Sequence, residues 1–350
     1  MADIIELMKL SVTNKASDLH ISVGSTPIIR QHGELKTVGN DPLNSMDTEQ
    51  MVRTLINDKQ WETLQERGEL DFSYSIPGVS RFRVNAYRQR GNYSLAIRTI
   101  PVQVPTFESL GLPEVVRSFA DKHQGLVLVT GPTGSGKSTT LASLIAYINQ
   151  TKKRHIITLE DPIEYLHRHG NSVIDQREIG FDTMSFANGL RAALRQDPDV
   201  VLVGEMRDLE TISTAITAAE TGHLVFATLH TPDAPQSIDR MIDVFPPSQQ
   251  QQVRVQLAGV LLGIVSQRLL QAADGHSRVA AIEILVNTPA VANLIRSEKI
   301  HQIRSTMQTS KAVGMQTMEM SLRDLLAKRK ISDSLFREVV SEWSGAISLT

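Results

Sequence analysis

The stretch Gly131-Pro132-Thr133-Gly134-Ser135-Gly136-Lys137-Ser138 has the residue types and order needed to hold a phosphate. It fits G-x-x-x-x-G-K-[ST] at every fixed position. Glycines let backbone N–H groups turn toward a phosphate with no Cβ in the way. An aliphatic run, Leu126 to Val129, predicts a strand leading in, and the residues from Lys137 to Asn149 predict a helix leading out. The N-terminus of that helix adds partial positive charge at the same spot. Thr133, Gly134, Ser135, Gly136, Lys137, Ser138 and Thr139 are therefore the candidate nucleotide-binding residues. Lys137 would reach the β- and γ-phosphates of ATP, and Ser138 would ligate Mg²⁺.

Hydrolysis also needs a carboxylate that orients or deprotonates water. The run Val200 to Val203 predicts a buried strand that ends in Gly204-Glu205. An Asp commonly closes such a strand, and Gly204 stands in its place. Mg²⁺ then rests on Ser138, water and Glu205. A second acidic group, Glu160-Asp161-Pro162-Ile163-Glu164, follows the predicted strand His155 to Leu159. Acids this close repel unless a cation lies among them, which Mg²⁺ would satisfy. The plainer reading is a solvated loop with a helix cap. The strand Leu224 to Thr228 has a His near each end. His230 falls at the C-terminal end, where open α/β sheets bind ligands, and an imidazole there can sense a γ-phosphate. It also reads as an ordinary packing histidine. His223, at the opposite end, is assigned a structural role.

These residues need a scaffold, and the hydropathy pattern supplies two textures. Ile4, Ile5, Leu7, Met8 and Leu10 form a helical stripe, and Leu19, Ile21 and Val23 alternate as in a half-buried strand. Two strands with a turn at His32-Gly33 are expected over Ile28 to Leu35, and a helix capped by Asp47 or Thr48 is expected over Thr48 to Leu64. Strands over Leu70 to Ile76, Arg81 to Arg88 and Tyr93 to Ile100 complete an α+β region at 1–100. Pro101, Pro105, Gly111 and Pro113 mark a semi-rigid linker over 101–115. From 116 to 288, short aliphatic runs alternate with helical patterns, the signature of a parallel sheet covered by helices. One of those helices, Asp208 to Thr221, should place Leu209, Ile212, Ile216 and Ala219 on a core face, with Gly222 as its cap. The region 289–350 reads as helical. The basic clusters Lys152-Lys153-Arg154 and Lys328-Arg329-Lys330 read as solvated helix ends.

Composition narrows the function. The 350 residues carry 36 Lys plus Arg against 38 Asp plus Glu, a formal net charge of −2. That balance gives no support to a nucleic-acid binder, which usually shows a basic excess. Cysteine is absent, which excludes disulfides, Cys-based zinc sites and thiol catalysis. No apolar run approaches the roughly 18 residues of a membrane span. Asp3 and Glu6 stand where a signal peptide would be basic. A cytoplasmic location is expected.

Taken together, Ser17-Asp18-Leu19-His20, the phosphate loop, Glu160 to Glu164, Gly204-Glu205 and Thr221 to Thr231 resemble the secretion and type IV pilus ATPase superfamily. The resemblance runs over nearly the whole chain, with the motifs in family order. It implies an α/β protein with a PAS-like N-terminal α+β domain, then a RecA-like P-loop ATPase domain with a helical C-terminal region. It implies Glu205 as catalytic carboxylate, Glu164 as an accessory one and His230 as phosphate sensor. It also implies arginines that reach ATP from the N-terminal domain. Arg81-Phe82-Arg83-Val84-Asn85 and Ile97-Arg98 match that pattern, making Arg83 and Arg98 the candidates. Without the resemblance they read as exposed residues alternating along strands.

The implied assembly is a homo-hexamer with nucleotide between subunits, on the inner face of the cytoplasmic membrane at a pilus base. An inner-membrane pilus platform protein would be its partner, and an extension ATPase or a retraction paralogue would work alongside it. The retraction branch of the family lacks a long extra N-terminal region and a four-cysteine zinc insertion, and this sequence fits that branch. Ala290 to Ser297 resembles that branch's C-terminal motif Ala-Ile-Arg-Asn-Leu-Ile-Arg-Glu, departing at Val291, Ala292 and Ser297. The expected function is pilus retraction coupled to ATP hydrolysis. An accessory paralogue, another secretion-system ATPase and a nucleic-acid motor are the alternatives, the last disfavoured by charge.

Overall fold

The computed structural model describes residues 3–347 except 32, 102 and 276. His32 of the expected His32-Gly33 turn therefore lies outside the described residues, as do the extreme ends of the ranges 1–100 and 289–350 and Val102 of the range 101–115. Chain contacts divide the protein into two compact units, Met1–Gln103 with Glu164–Leu166, and Val104–Ile163 with His167–Thr350.

In the first unit, α1 (Ile4–Thr13) buries Ile4, Leu7 and Met8 and is capped by the Asp3 carboxylate on the Ile5 N–H. Three strands follow, β1 (Asp18–Ile21), β2 (Ile28–Gln31) and β3 (Glu34–Thr37). The single helix expected over Thr48 to Leu64 is instead two, α2 (Ser45–Leu55) and α3 (Asp58–Arg67). The reason is local. Asn44 with Asp47, and Asn57 with Gln60, each form a capping box that starts a helix. Thr48, expected at the cap, is buried within α2. Strands β4 (Glu69–Ile76), β5 (Ser80–Gln89) and β6 (Asn92–Ile100) complete a six-stranded sheet in the order β3-β2-β1-β6-β5-β4. Its pairings are antiparallel. Period-two alternation sorts its faces. Ile29, Leu19, Ile97, Val84 and Phe72 lie in one cross-strand row and are buried under the three helices. The neighbouring row, on the other face, is Arg30, Asp18, Arg98, Arg83 and Ser73.

The second unit begins with residues of the proline-rich stretch. Phe107 and Leu112 are buried with Val116 and Phe119 of α4 (Glu114–Ala120). The strands and helices then alternate: β7 (Gly125–Thr130), α5 (Lys137–Thr151), β8 (His155–Glu160), β9 (Val173–Glu178), α6 (Phe186–Ala193), β10 (Val200–Val203), α7 (Leu209–Glu220) and β11 (Leu224–Leu229). Helices α8 (Ala234–Asp243) and α9 (Pro247–Val260) lead to two long strands, β12 (Leu261–Gln271) and β13 (Arg278–Val286). The sheet order is β13-β12-β7-β11-β10-β8-β9, parallel except for the β12–β13 pair. Alternate residues of β7 feed two cores. Leu126 and Leu128 pack with α7, α8 and α9, whereas Val127 and Val129 pack with α4 and α5.

The C-terminal region is helical: α10 (Pro289–Arg296), α11 (Ile303–Thr309), α12 (Met318–Ala327) and α13 (Asp333–Ile347). Leu322 of α12 and Val339 of α13 pack on Leu270 and Ala281 of the antiparallel pair. Two sequence expectations need correcting here. Leu209 sits in the first turn of α7 at 39% exposure, while Ile212, Ile216 and Ala219 are buried together with Ala215 and Ala218. The cap of that helix is Thr221, with Gly222 next at a φ of 109°.

Candidate nucleotide and hydrolysis site

Parallel register sets the site. Val203 pairs with Ala227 across β10 and β11, and with Leu159 across β10 and β8. The residues that follow these strands, Gly204-Glu205 and His230, therefore emerge at the same sheet edge as the phosphate loop after β7. Gly131 has a φ of 140°, Gly134 of 79° and Gly136 of 90°. A Cβ on Gly131 would lie 2.3 Å from the Gln267 carbonyl oxygen and 2.7 Å from Ser135 Oγ, so only glycine fits. Lys137 Nζ curls back over the loop and donates to the carbonyls of Gly131 at 2.7 Å and Pro132 at 3.0 Å. Ser135 Oγ is buried with no hydrogen-bond partner. A buried orphan hydroxyl is costly unless a ligand satisfies it. An orphan donor, three left-handed glycines and a buried ammonium suit a phosphate group. Ser138 and Thr139, at the start of α5, are half-buried, and Thr133 is exposed.

Glu205 and His230 meet. His230 Nε2 lies 3.2 Å from Glu205 Oε1, and the Arg207 guanidinium also bonds that oxygen. Burial alone would raise the Glu205 carboxyl, but Arg207 and His230 outweigh it and hold it below its ordinary value. Arg207 in turn feels Asp161. The turn is tied down from β11: Thr228 donates its hydroxyl to the Gly204 carbonyl, and the Met206 N–H donates to the Thr228 carbonyl at 3.1 Å. Gly204 has a packing reason. A Cβ there would lie 2.9 Å from the Leu159 carbonyl oxygen and 3.3 Å from Glu160 Cα. The Asp usual at this position would have to displace β8.

The sequence pattern of the family described as Type II/IV secretion system protein matches residues 3–342. The chain belongs to that family. It is 50% identical to the type IV pilus retraction ATPase PilT of Pseudomonas aeruginosa, over 96% of this chain and 97% of the relative. It is 48% identical to the twitching motility protein of Neisseria gonorrhoeae, over 95% and 89% respectively. Among solved structures, the pilus retraction motor PilT with bound ADP superposes with a TM-score of 0.89 at 48% identity, covering 97% of each chain.

The remaining candidates of this secretion-system protein fall as follows. Glu160 accepts from Thr158 Oγ1 at 2.7 Å and Gln176 Nε2 at 3.1 Å, Asp161 is exposed, and Glu164 is exposed within the first unit. Among the described residues no three His, Asp or Glu side chains converge as a metal cluster. Arg83 and Arg98, also in the first unit, stand directly opposite each other on β5 and β6. Arg98 donates to Asp18 at 3.0 Å. His223 has the structural role expected: its Nδ1 lies 3.0 Å from the Ala218 carbonyl at the end of α7. Ala292 is a buried core residue of α10. Ser297 bonds the Asn293 carbonyl at 2.6 Å.

Sequence reading did not single out Arg207, Ser266 or Gln267. The signal for Arg207 was its place two residues after Glu205, on the same strand-end turn. Ser266 pairs in register with Thr130, and Gln267 Nε2 donates to Thr140 Oγ1 of α5 at 3.0 Å, so β12 braces both sides of the phosphate loop. No helix among the described residues is long and apolar enough to cross a membrane.

Proposed function

We propose that this secretion-system protein is a motor ATPase that couples ATP hydrolysis to retraction of type IV pili. The observation that carries this reading is the Glu205–His230 pair at the sheet edge that presents the phosphate loop, in a chain half identical to a retraction ATPase along nearly its full length. Backbone N–H groups and Ser135 of the loop hold the phosphates, and Lys137 releases the Gly131 and Pro132 carbonyls to bind them. Glu205, kept as a carboxylate by Arg207 and His230, orients the water for in-line attack and takes its proton. His230 reports the γ-phosphate to Glu205. Arg83 and Arg98 supply guanidinium groups to the transferred phosphoryl, and Glu164 is an accessory carboxylate. Mg²⁺, when bound, neutralises phosphate charge, with Ser138 and Glu205 as its protein donors.

Arg83 and Arg98 stand side by side on one strand face, and among the described residues the Asp18 carboxylate pairs with Arg98 alone, which supports a role for Arg83 toward a phosphate. The proposed domains are 1–100, a hinge at 101–115, an ATPase core at 116–288 and a helical region at 289–350. The proposed assembly is a homo-hexamer at the cytoplasmic face of the inner membrane, acting on a pilus platform protein. ATP turnover and nucleotide binding by purified protein test the chemistry. Wild type should turn over, Lys137→Ala should lose both properties, and Glu205→Gln should bind ATP without turnover. Wild-type turnover by Glu205→Gln would remove Glu205 from the mechanism. ATP binding with no turnover by wild type would favour an accessory ring.

A further inference from the structure

We infer that Ser237 is a positioning residue that ties the His230 loop to the strand feeding the phosphate loop. Thr130, the last residue of β7, directly precedes Gly131, and Thr231 directly follows His230. Their side chains converge on Ser237 in the first turn of α8. Ser237 Oγ lies 2.6 Å from Thr231 Oγ1, 2.5 Å from the Asp233 carbonyl oxygen and 3.5 Å from Thr130 Oγ1. Thr130 Oγ1 also bonds Ser266 Oγ at 2.9 Å. Ser237, Thr130 and Ser266 are all 0% exposed.

Proton counting shows why this cluster is more than packing. Each hydroxyl has one proton and can accept others. If Thr231 donates to Ser237 and Ser237 to Asp233, neither has a proton left for Thr130. Thr130 spends its own on Ser266. The Ser237–Thr130 contact is then the open link, well beyond the usual O–H···O separation of about 2.7–2.8 Å. Turning the Thr130 hydroxyl from Ser266 toward Ser237, with the two oxygens drawing together from 3.5 Å, closes it. The cluster thus has two proton arrangements, and a small shift of either loop selects between them. Buried Thr130 must place its one proton on Ser266 or on Ser237, so movement at the phosphate loop is passed through Ser237 to half-buried Thr231 and hence to the His230 backbone. The start of α8 is fixed from its other side, because the Ala234 N–H donates to buried Glu283 at 2.9 Å. That leaves the hydroxyl cluster as the adjustable side.

This inference rests on the proposed role of His230, and the test separates the two. Turnover and KM for ATP are measured in the full chain for His230→Ala, Ser237→Ala and the double variant, and for Thr130→Val and Thr130→Ser. Ser237→Ala and Thr130→Val should each lower kcat about ten- to a hundredfold, as small misplacements of catalytic groups do. KM should change less than about twofold, because binding through the loop is kept. Thr130→Ser, which keeps the hydroxyl, should recover most of the loss. In the His230→Ala background, Ser237→Ala should cost nothing more. Losses that multiply in the double variant, or a KM that rises in step, would overturn the inference. Wild-type turnover by His230→Ala would instead overturn the role of His230, and the inference with it. Should Ser237→Ala fail to fold, the Val and Ser variants of Thr130 carry the same test.

Discussion

His230 Nε2 sits 3.2 Å from Glu205 Oε1 because the two residues leave adjacent parallel strands held in register, Val203 opposite Ala227. The contact places an imidazole and a carboxylate together at the mouth of the sheet, with Arg207 as third member.

Arg207→Gln should therefore narrow the pH range of turnover from the acid side. Burial raises the Glu205 carboxyl, and Arg207 with His230 overcomes it to give a net lowering. Loss of Arg207 lets burial act with less opposition, so Glu205 takes up a proton at a higher pH and the acid limb of kcat moves up. A limb that stays in place would show that Arg207 does not control Glu205.

Gly204→Asp, which installs the more usual carboxylate, should destabilise rather than assist. Its Cβ would meet the Leu159 carbonyl oxygen at 2.9 Å. Overpacking of this kind costs about 1–3 kcal/mol. Thermal unfolding should show a drop of several degrees, and Gly204→Ala should show much of it.

Arg83→Gln should separate stability from activity. Removing one of two like charges directly opposite on β5 and β6 should stabilise the sheet by roughly 0.2–1 kcal/mol. Turnover should fall by up to roughly 10³-fold if the guanidinium acts on the phosphoryl group. Unchanged turnover with raised Tm would confine Arg83 to a surface role.

Buried Glu283 makes stability depend on pH. Burial pushes its carboxyl up to about 7 from an ordinary 4.5, against the pull of the backbone N–H groups of Ala234 and Met318. The folded state thus binds the proton more tightly than the unfolded one. The stabilisation is fully present below pH 4.5 and is lost as pH rises through about 7. Asp233 is shifted the same way, again by burial. The Tm of wild type should fall, relative to Glu283→Gln, as pH rises from the ordinary carboxyl value of 4.5 through about 7. A constant difference would contradict the assignment.

Much of the site is legible in the sequence because its signals are local. The phosphate loop is contiguous, and Glu205 and His230 each end a short aliphatic strand. Arg207 was not legible, because its role depends on the side chain folding back onto Glu205. Strand β12 was hidden for another reason. Helix α9 ends at Val260 and β12 starts at Leu261 with no turn between them, so the run Leu257 to Val265 fits either period. The helix break at Ile56 carried a readable signature, Asn57 with Gln60 three residues on, inside an apolar stripe that masks it. Leu209 fits the spacing of the α7 stripe yet lies in its first turn, where the helix end leaves it 39% exposed.

The central claim is tested most directly by counting surface pili and scoring motility in a strain lacking this chain, complemented with wild type or Lys137→Ala. The account predicts many non-retracting pili and no twitching in the deleted strain, restored by wild type and not by Lys137→Ala. Unchanged pili and motility on deletion, or full restoration by Lys137→Ala, would contradict it.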